Sequence, residues 1–266
     1  MPQPTDFRRE LDGKVAVVTG GSQGLGEAIA REFAARGAAG LILTGRNRER
    51  GEAVATSLTT ARCKAIFHTA DLADLDAVRK IVPAAEQACG RLDILVNAAG
   101  DTDRGTIFDT SPELYAHIMA VNLTAPFFLI QDAANLMRRE KIAGSIVNIQ
   151  SMSAHGGQPF LAAYSVSKGA LATLTRNAAY GLLADRIRVN GLNIGWMSTP
   201  GEDAIMRLRH GAQDGWLEQA QAGRPFGRLI DPREVAKAVA YLASSESGLM
   251  TGANVDFDQT ILGAHD

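Results

Sequence analysis

The sequence predicts a single α/β domain, a doubly wound parallel sheet of about seven strands with helices on both faces. Three observations carry this reading. Short β-rich apolar runs alternate along the chain with longer segments of helical period. The apolar runs lack in/out alternation, which is expected when helices cover both faces of a parallel sheet. A glycine-rich stretch, TGGSQGLG at 19–26, separates the first run from the first helical segment, where a strand must turn sharply into a helix.

The elements follow in order. KVAVVTG (14–20) reads as the first strand and 24–37 as a helix that closes at Gly37. GLILTG (40–45) is the second strand, followed by a charged helix over 47–59. KAIFHTADL (64–72) is the third, and DLDAVRKIVPAAEQACG (74–90) supplies the helix after it. LDILVNAAG (92–100) and GSIVNIQS (144–151) are the fourth and fifth strands, separated by a long helical region over 112–139. A second long helix is expected over 161–184, then RIRVNGLNI (186–194) as the sixth strand and ANVDFD (253–258) as the seventh. No Pro/Gly/Ser linker, low-complexity segment or repeat interrupts the 1–266 chain, so one domain is expected. Only the 195–228 region breaks the rhythm. Its Gly, Pro and Trp residues suggest a helical insert beyond a strand end, suited to a substrate lid.

Composition excludes several classes. With 46% hydrophobic and 21% charged residues the chain reads as a soluble globular protein. The net charge of −2, with scattered basic residues, argues against a nucleic-acid or anionic-membrane surface. There is no signal-type segment at the N-terminus and no 18-residue apolar run, and the expected location is cytoplasmic. Cys63 and Cys89 form neither a CxxC nor a Cys/His cluster, so neither a disulfide framework nor a metal site is expected.

The chemistry lies at the strand ends. A glycine turn opening a helix lets backbone N–H groups approach a phosphate, although the Gly20, Gly24, Gly26 spacing is not GxGxxG. The second strand ends in Thr44-Gly45-Arg46-Asn47 with no acid. A carboxylate there would serve the ribose of NAD, whereas Arg46 suits the extra phosphate of NADP; NADP(H) is favoured and NAD(H) stays open. In YSVSK, Tyr164 and Lys168 are four residues apart and share one helix face. Free tyrosine titrates near ~10 and free lysine near ~10.4, so each needs its surroundings to act at neutral pH. Ser151 ends the fifth strand, at the edge of the sheet where the glycine turn must also lie.

The assembled pattern of TGGSQGLG, Asp71-Leu72, NAAG (97–100), Asn122 in VNL, Ser151 and YSVSK resembles the short-chain dehydrogenase/reductase family over nearly the whole of 14–258. The resemblance implies that Tyr164 is the catalytic acid/base. Lys168 would bind the nicotinamide ribose and lower the tyrosine pKa, Ser151 would hold the substrate oxygen, and Asn122 would support a water-linked proton relay. It further implies a cofactor held by Gly20, Ser22, Gln23, Gly24, Leu25 and Gly26 of the turn, by Asp71 (adenine) and Leu72, by Asn97, Ala98 and Gly100, and by Gly195 and Thr199. Asp71 is equally suited to cap a helix. A homo-oligomer is implied, a tetramer or dimer built on the helices of 112–139 and 161–184 and the C-terminal strand.

Three departures stand out: Ala98 in NAAG, Ile194 where the family carries proline, and no basic residue at 22–23. His155, Gln158 and Phe160 are expected on the pocket wall, with Trp196, Met197 and Met206 covering it. His155 and Gln158 can bond hydroxyls, so a polyol, sugar or hydroxy-acid derivative is favoured. The alternatives are a reductase of small apolar ketones or 3-oxoacyl groups, and a catalytically silent dinucleotide-binding regulator.

Overall fold

A computed structural model describes residues 10–263; both ends of the expected 1–266 domain lie outside the described residues. Strands β1 (Val15–Thr19), β2 (Gly40–Gly45), β3 (Lys64–Thr69), β4 (Ile94–Asn97), β5 (Ser145–Ser151), β6 (Arg188–Ile194) and β7 (Asn254–Phe257) form one sheet, ordered β3-β2-β1-β4-β5-β6-β7. Every pairing is parallel. The order reverses between β1 and β4, and such a switch point opens a crevice at the C-terminal strand ends. β3 and β4 stop at Thr69 and Asn97, short of the expected 72 and 100, and the freed residues become the rim of that crevice.

The uninterrupted apolar runs are explained by two cores. Ala16, Val18, Leu41 and Leu43 pack with Ile29 and Phe33 of α1 (Gly24–Ala35), and with Val235 and Val239 far along the chain. Their strand neighbours Val15, Val17 and Ile42 go to the other face, against Ile81, Val82, Leu129 and Met137. Each such Val, Leu, Ile, Phe or Met side chain, fully removed from water, contributes about 1.5–3 kcal/mol.

The helices depart from expectation in two places, each with a proline as cause. The helix expected over 74–90 is split into α3 (Leu75–Val78) and α4 (Ile81–Cys89). Pro83 has no N–H to give to the carbonyl of Arg79 and its ring crowds that carbonyl, so the chain turns at 79–80. After α2 (Arg48–Leu58), the long helical region is likewise interrupted. α5 (Pro112–Met119) and α6 (Ala125–Arg139) are joined by a π-helical turn over Ala120–Thr124, in which the Ala125 N–H reaches back to Ala120 O. Pro126 cannot donate to Asn122, four residues earlier, and the turn widens there. The Pro112–Arg139 stretch is long and apolar enough to cross a membrane by length and composition, yet α6 lays Leu129, Ala133 and Met137 into the core.

α7 (Ala162–Gly181) is pinned to the sheet by a buried amide ladder. Asn97 Nδ2 donates to Asn148 Oδ1 (2.8 Å), Asn148 Nδ2 and Gln150 Nε2 both donate to Thr175 Oγ1 (2.9 Å), and Gln150 Nε2 also reaches Asn254 Oδ1 (2.9 Å). Gly191 leaves room for this network, since a Cβ there would lie 2.1 Å from Gln150 Nε2 and 2.5 Å from Asn254 Oδ1. Gly191→Ala is therefore expected to cost about 2–3 kcal/mol through overpacking and unmade buried hydrogen bonds. Denaturant unfolding checks this, and an unchanged midpoint would contradict the role assigned to the ladder.

The insert after β6 is helical, as expected: α8 (Pro200–His210) and α9 (Trp216–Ala222) bury no residue fully. α10 (Pro232–Ala243) returns to the core behind a capping box of Asp231 and Glu234.

Candidate active site

Tyr164 and Lys168 lie one turn apart at the start of α7. Lys168 Nζ sits 5.6 Å from the Tyr164 ring centre and donates to the Ile149 carbonyl at 2.9 Å. The ammonium is buried, and that burial pulls it down to about 8. Burial pushes the Tyr164 phenol above its ordinary value, opposed by a hydrogen bond with Ser151 and by the Arg104 charge, and reinforced by the Glu202 charge. The lowering of the phenol by Lys168 that the resemblance implies is not among the influences seen on Tyr164. Desolvation wins, and Tyr164 is a neutral hydrogen-bond donor at neutral pH.

Ser151, at the end of β5, belongs to a relay. It donates to Ser153 Oγ (3.1 Å) and accepts the Ser153 N–H (3.1 Å), and Ser153 Oγ in turn donates to Gln158 Oε1. Ser153 was missed by sequence reasoning, although its place two residues after Ser151 is what a single 3-10 turn (Met152–His155) brings back into contact. The same turn sends His155 elsewhere. Expected on the pocket wall, His155 instead faces Asp256 Oδ1 (3.2 Å) and Asn193 Nδ2 (3.3 Å), outside the cavity lining.

Asn122 sits in the π-turn, fully buried behind the cavity wall. Its amide accepts the Asp101 N–H (2.8 Å) and donates to Asp101 O (2.9 Å) and Ser167 Oγ (3.1 Å), and Ser167 Oγ donates to the Tyr164 carbonyl (2.7 Å). Lys168 is not a direct partner. A Cβ on Gly100 would lie 3.4 Å from Lys168 Nζ and 3.5 Å from Asn122 Oδ1, so Gly100 stands beside both. Asn97, expected at the cofactor, points its side chain into the amide ladder and does not line the cavity.

The remaining expected residues meet around one cavity of about 1180 Å³. Gly20, Ser22, Gln23, Gly24, Leu25 and Gly26 form one end. Arg46, Asp71, Leu72, Ala98 and Gly100 line the rim, and Ser151, Gln158, Phe160, Tyr164 and Lys168 the reactive portion. Gly195, Trp196, Met197, Thr199 and Met206 complete it from the insert. Asp71 turns its Oδ1 to the Ala73 N–H, while Asp74 caps α3, which corrects the capping role considered for Asp71.

A nicotinamide dinucleotide fits these residues. A Cβ on Gly26 would come 2.2 Å from Gly20 O, so the strand and helix approach only because no side chain intervenes, and the first N–H groups of α1 open on the cavity. Gly24, at φ 57, adopts the left-handed turn that this approach needs. Arg46 is exposed, lines the cavity and has no hydrogen bond or ion pair among the described residues. A second basic group was not foreseen: the Arg50 guanidinium donates to Gln23 Oε1, so α2 carries a cation to the glycine turn although positions 22–23 have none. Among the described residues no group of three or more His, Cys, Asp or Glu is arranged to hold a metal ion.

Comparison with known proteins agrees with this geometry. Residues 20–259 match a family model described as enoyl-(acyl carrier protein) reductase. The chain is 34% identical over 251 residues to the NADP-dependent (R)-specific alcohol dehydrogenase of Lentilactobacillus kefiri, covering 93% of this chain and 96% of that protein. It is 32% identical over 248 residues to the meso-2,3-butanediol dehydrogenase of Serratia marcescens, covering 93% and 94%. A solved structure described as a short chain dehydrogenase/reductase family protein superposes with a TM-score of 0.80 at 35% identity, covering 94% of this chain and 97% of that one.

Proposed function

The chain belongs to the short-chain dehydrogenase/reductase family of NAD(P)-dependent oxidoreductases acting on alcohol and ketone groups, and we propose that it interconverts a polar secondary alcohol and its ketone with NADP(H). The observation that carries this reading is the meeting of Ser151, Tyr164 and Lys168 with the glycine turn around a single cavity. When bound, the nicotinamide supplies the hydride acceptor or donor. The chain's own residues do the rest. In the reductive direction Ser151 and the neutral Tyr164 hydroxyl hydrogen-bond the carbonyl oxygen, and the Tyr164 proton passes to that oxygen as negative charge builds on it. In the oxidative direction the Tyr164 oxygen takes the alcohol proton, which requires the phenolate.

Lys168 supports the nicotinamide ribose and holds positive charge behind the ring. Asn122 acts as a positioning residue, fixing the Asp101 peptide and Ser167 beside Lys168. The insert of α8 and α9, without a fully buried anchor, serves as a lid over 195–228. Gln158 and the Ser153 relay favour a substrate with a further polar group. Exposed Tyr115, Phe127, Val166 and Tyr180 on α5 to α7 support a homo-oligomer built on these helices.

The NADP preference rests on Arg46, with Arg50 beside it. Arg46→Ala is expected to weaken NADPH binding about 10–100-fold, the range of one or two hydrogen bonds to a charged group. NADH binding should change less than about threefold. Fluorescence titration of both cofactors checks this without knowledge of the substrate. Equal losses for the two would remove Arg46 from phosphate recognition, and tighter NADH in the wild type would overturn the preference.

A further inference from the structure

Two guanidinium groups line the cavity without a part in hydride transfer or cofactor binding, Arg104 and Arg224. Arg104 is held by its backbone against the reactive helix. The next residue, Gly105, donates its N–H to Phe160 O (3.0 Å) and accepts the Ala162 N–H (3.0 Å) just before Tyr164. Its side chain is only 15% exposed and its guanidinium lies 5.6 Å from the Phe160 ring centre. Nε donates to His210 Nε2 (3.0 Å) and one Nη donates to the Thr102 carbonyl. The other Nη has only Glu202 Oε1 at 3.9 Å, beyond hydrogen-bond distance, and that oxygen already accepts the Trp196 indole N–H at 2.8 Å.

Arg224 lies on the insert, half-buried, with its guanidinium 4.9 Å from the Trp196 ring centre and no carboxylate partner among the described residues. The other carboxylates of the cavity are turned to their own backbones or neighbours. Asp101 takes the Asp103 N–H and His117, Asp71 the Ala73 N–H, and Asp258 the Thr260 N–H. The reactive portion thus carries two guanidinium groups with donors left over: Arg104 has Glu202 Oε1 no nearer than 3.9 Å, and Arg224 has no carboxylate partner among the described residues. A half-buried guanidinium with unused donors is completed by an anion.

We propose that the substrate is a hydroxy acid or oxo acid, whose carboxylate is held by Arg104 and Arg224 while its hydroxyl or carbonyl oxygen meets Ser151 and Tyr164. This rests on the oxidoreductase reading above. Arg104 and Tyr164 line the same cavity, so an anion held by Arg104 shares that cavity with the reacting carbon. Arg224 comes from the insert, so the substrate's own charge would draw the lid down.

The test uses the full chain with 2-, 3- and 4-oxo acids and the neutral methyl ester of each, reduced with NADPH or NADH. For at least one chain length the acid is expected to exceed its ester in kcat/KM by about 10–100-fold. Arg104→Gln and Arg224→Gln should each reduce that acid-to-ester ratio, Arg104→Gln to within a few-fold of one. Glu202→Gln keeps an acceptor for Trp196 but removes the opposing charge, and should raise the ratio, a direction that loss of packing would not produce. Should Arg104→Gln not fold, Arg224→Gln and Glu202→Gln carry the test. Quenching of the stacked Trp196–Trp216 pair by acid and not by ester gives a binding readout independent of turnover. Esters that equal or exceed acids at every chain length, with cofactor bound and ketones reduced, would overturn the acid proposal alone. Failure to bind either cofactor would overturn the oxidoreductase reading beneath it.

Discussion

Tyr164→Phe is expected to lower kcat by about 10²–10⁴-fold, the usual worth of a positioned general acid or base. NADPH affinity should stay within about twofold, because the change removes one oxygen and leaves the ring that shapes the cavity. Stability should move by no more than about 1 kcal/mol, since Ser151 keeps its bonds to Ser153 when the phenol hydroxyl is gone. The raised phenol also sets the form of the wild-type pH profile. Reduction needs the protonated hydroxyl and holds level through neutral pH. Oxidation needs the phenolate and climbs as pH rises into the alkaline range. Steady-state kinetics in both directions, with cofactor titration of the variant, test the assignment. A Tyr164→Phe enzyme that retains more than about a tenth of wild-type kcat would assign the proton to another group.

The succession of strands along the chain and the place of the candidate site at their ends could be read from the sequence because both depend on local pattern. A parallel strand buried on both faces is a run of apolar residues, and the glycine turn, Ser151 and YSVSK each stand at the end or start of such an element. What escaped was geometry set by one bond or by a distant partner. An extra residue in a helical turn leaves apolar periodicity almost unchanged, so the π-turn at Ala120–Thr124 had no period to reveal it. Pro126, four residues after Asn122, was the available signal. His155 was assigned to the pocket by adjacency to Ser151, but one 3-10 turn aims consecutive side chains to different sides and Asp256, 101 residues on, supplies its partner. Asn97 was placed by family resemblance, whereas its side chain answers to Asn148 on the next strand. Arg50 reaches the glycine turn and Arg104 the cavity only through tertiary packing, one across 27 residues to Gln23 and one across 106 to His210.

Lys168→Met should remove turnover and at the same time stabilise the ligand-free protein. The two effects have one cause. Lys168 is a buried ammonium whose only hydrogen-bond partner among the described residues is the Ile149 carbonyl, and desolvation lowers it from 10.5 to about 8. At pH 7 the folded protein therefore holds a charge that burial disfavours by up to about 3 kcal/mol relative to the unfolded chain. Methionine has similar length and no charge, and leaves one carbonyl without its donor at a cost of about 1 kcal/mol. The net gain at pH 7 is about 1–2 kcal/mol, or roughly 2–8 °C in Tm for a chain of this size. Between about 8 and 10.5 the unfolded lysine binds more protons than the folded one, so wild-type stability rises with pH across that window and the variant's advantage shrinks. Thermal unfolding of both proteins at pH 7 and pH 10 would reveal this crossing trend, and a less stable variant at pH 7 would mean that the ammonium is favourably solvated where it sits. The functional loss follows from the same charge. The nicotinamide ribose loses a donor and Tyr164 loses the cation behind its ring, so kcat/KM should fall by at least about 10²-fold.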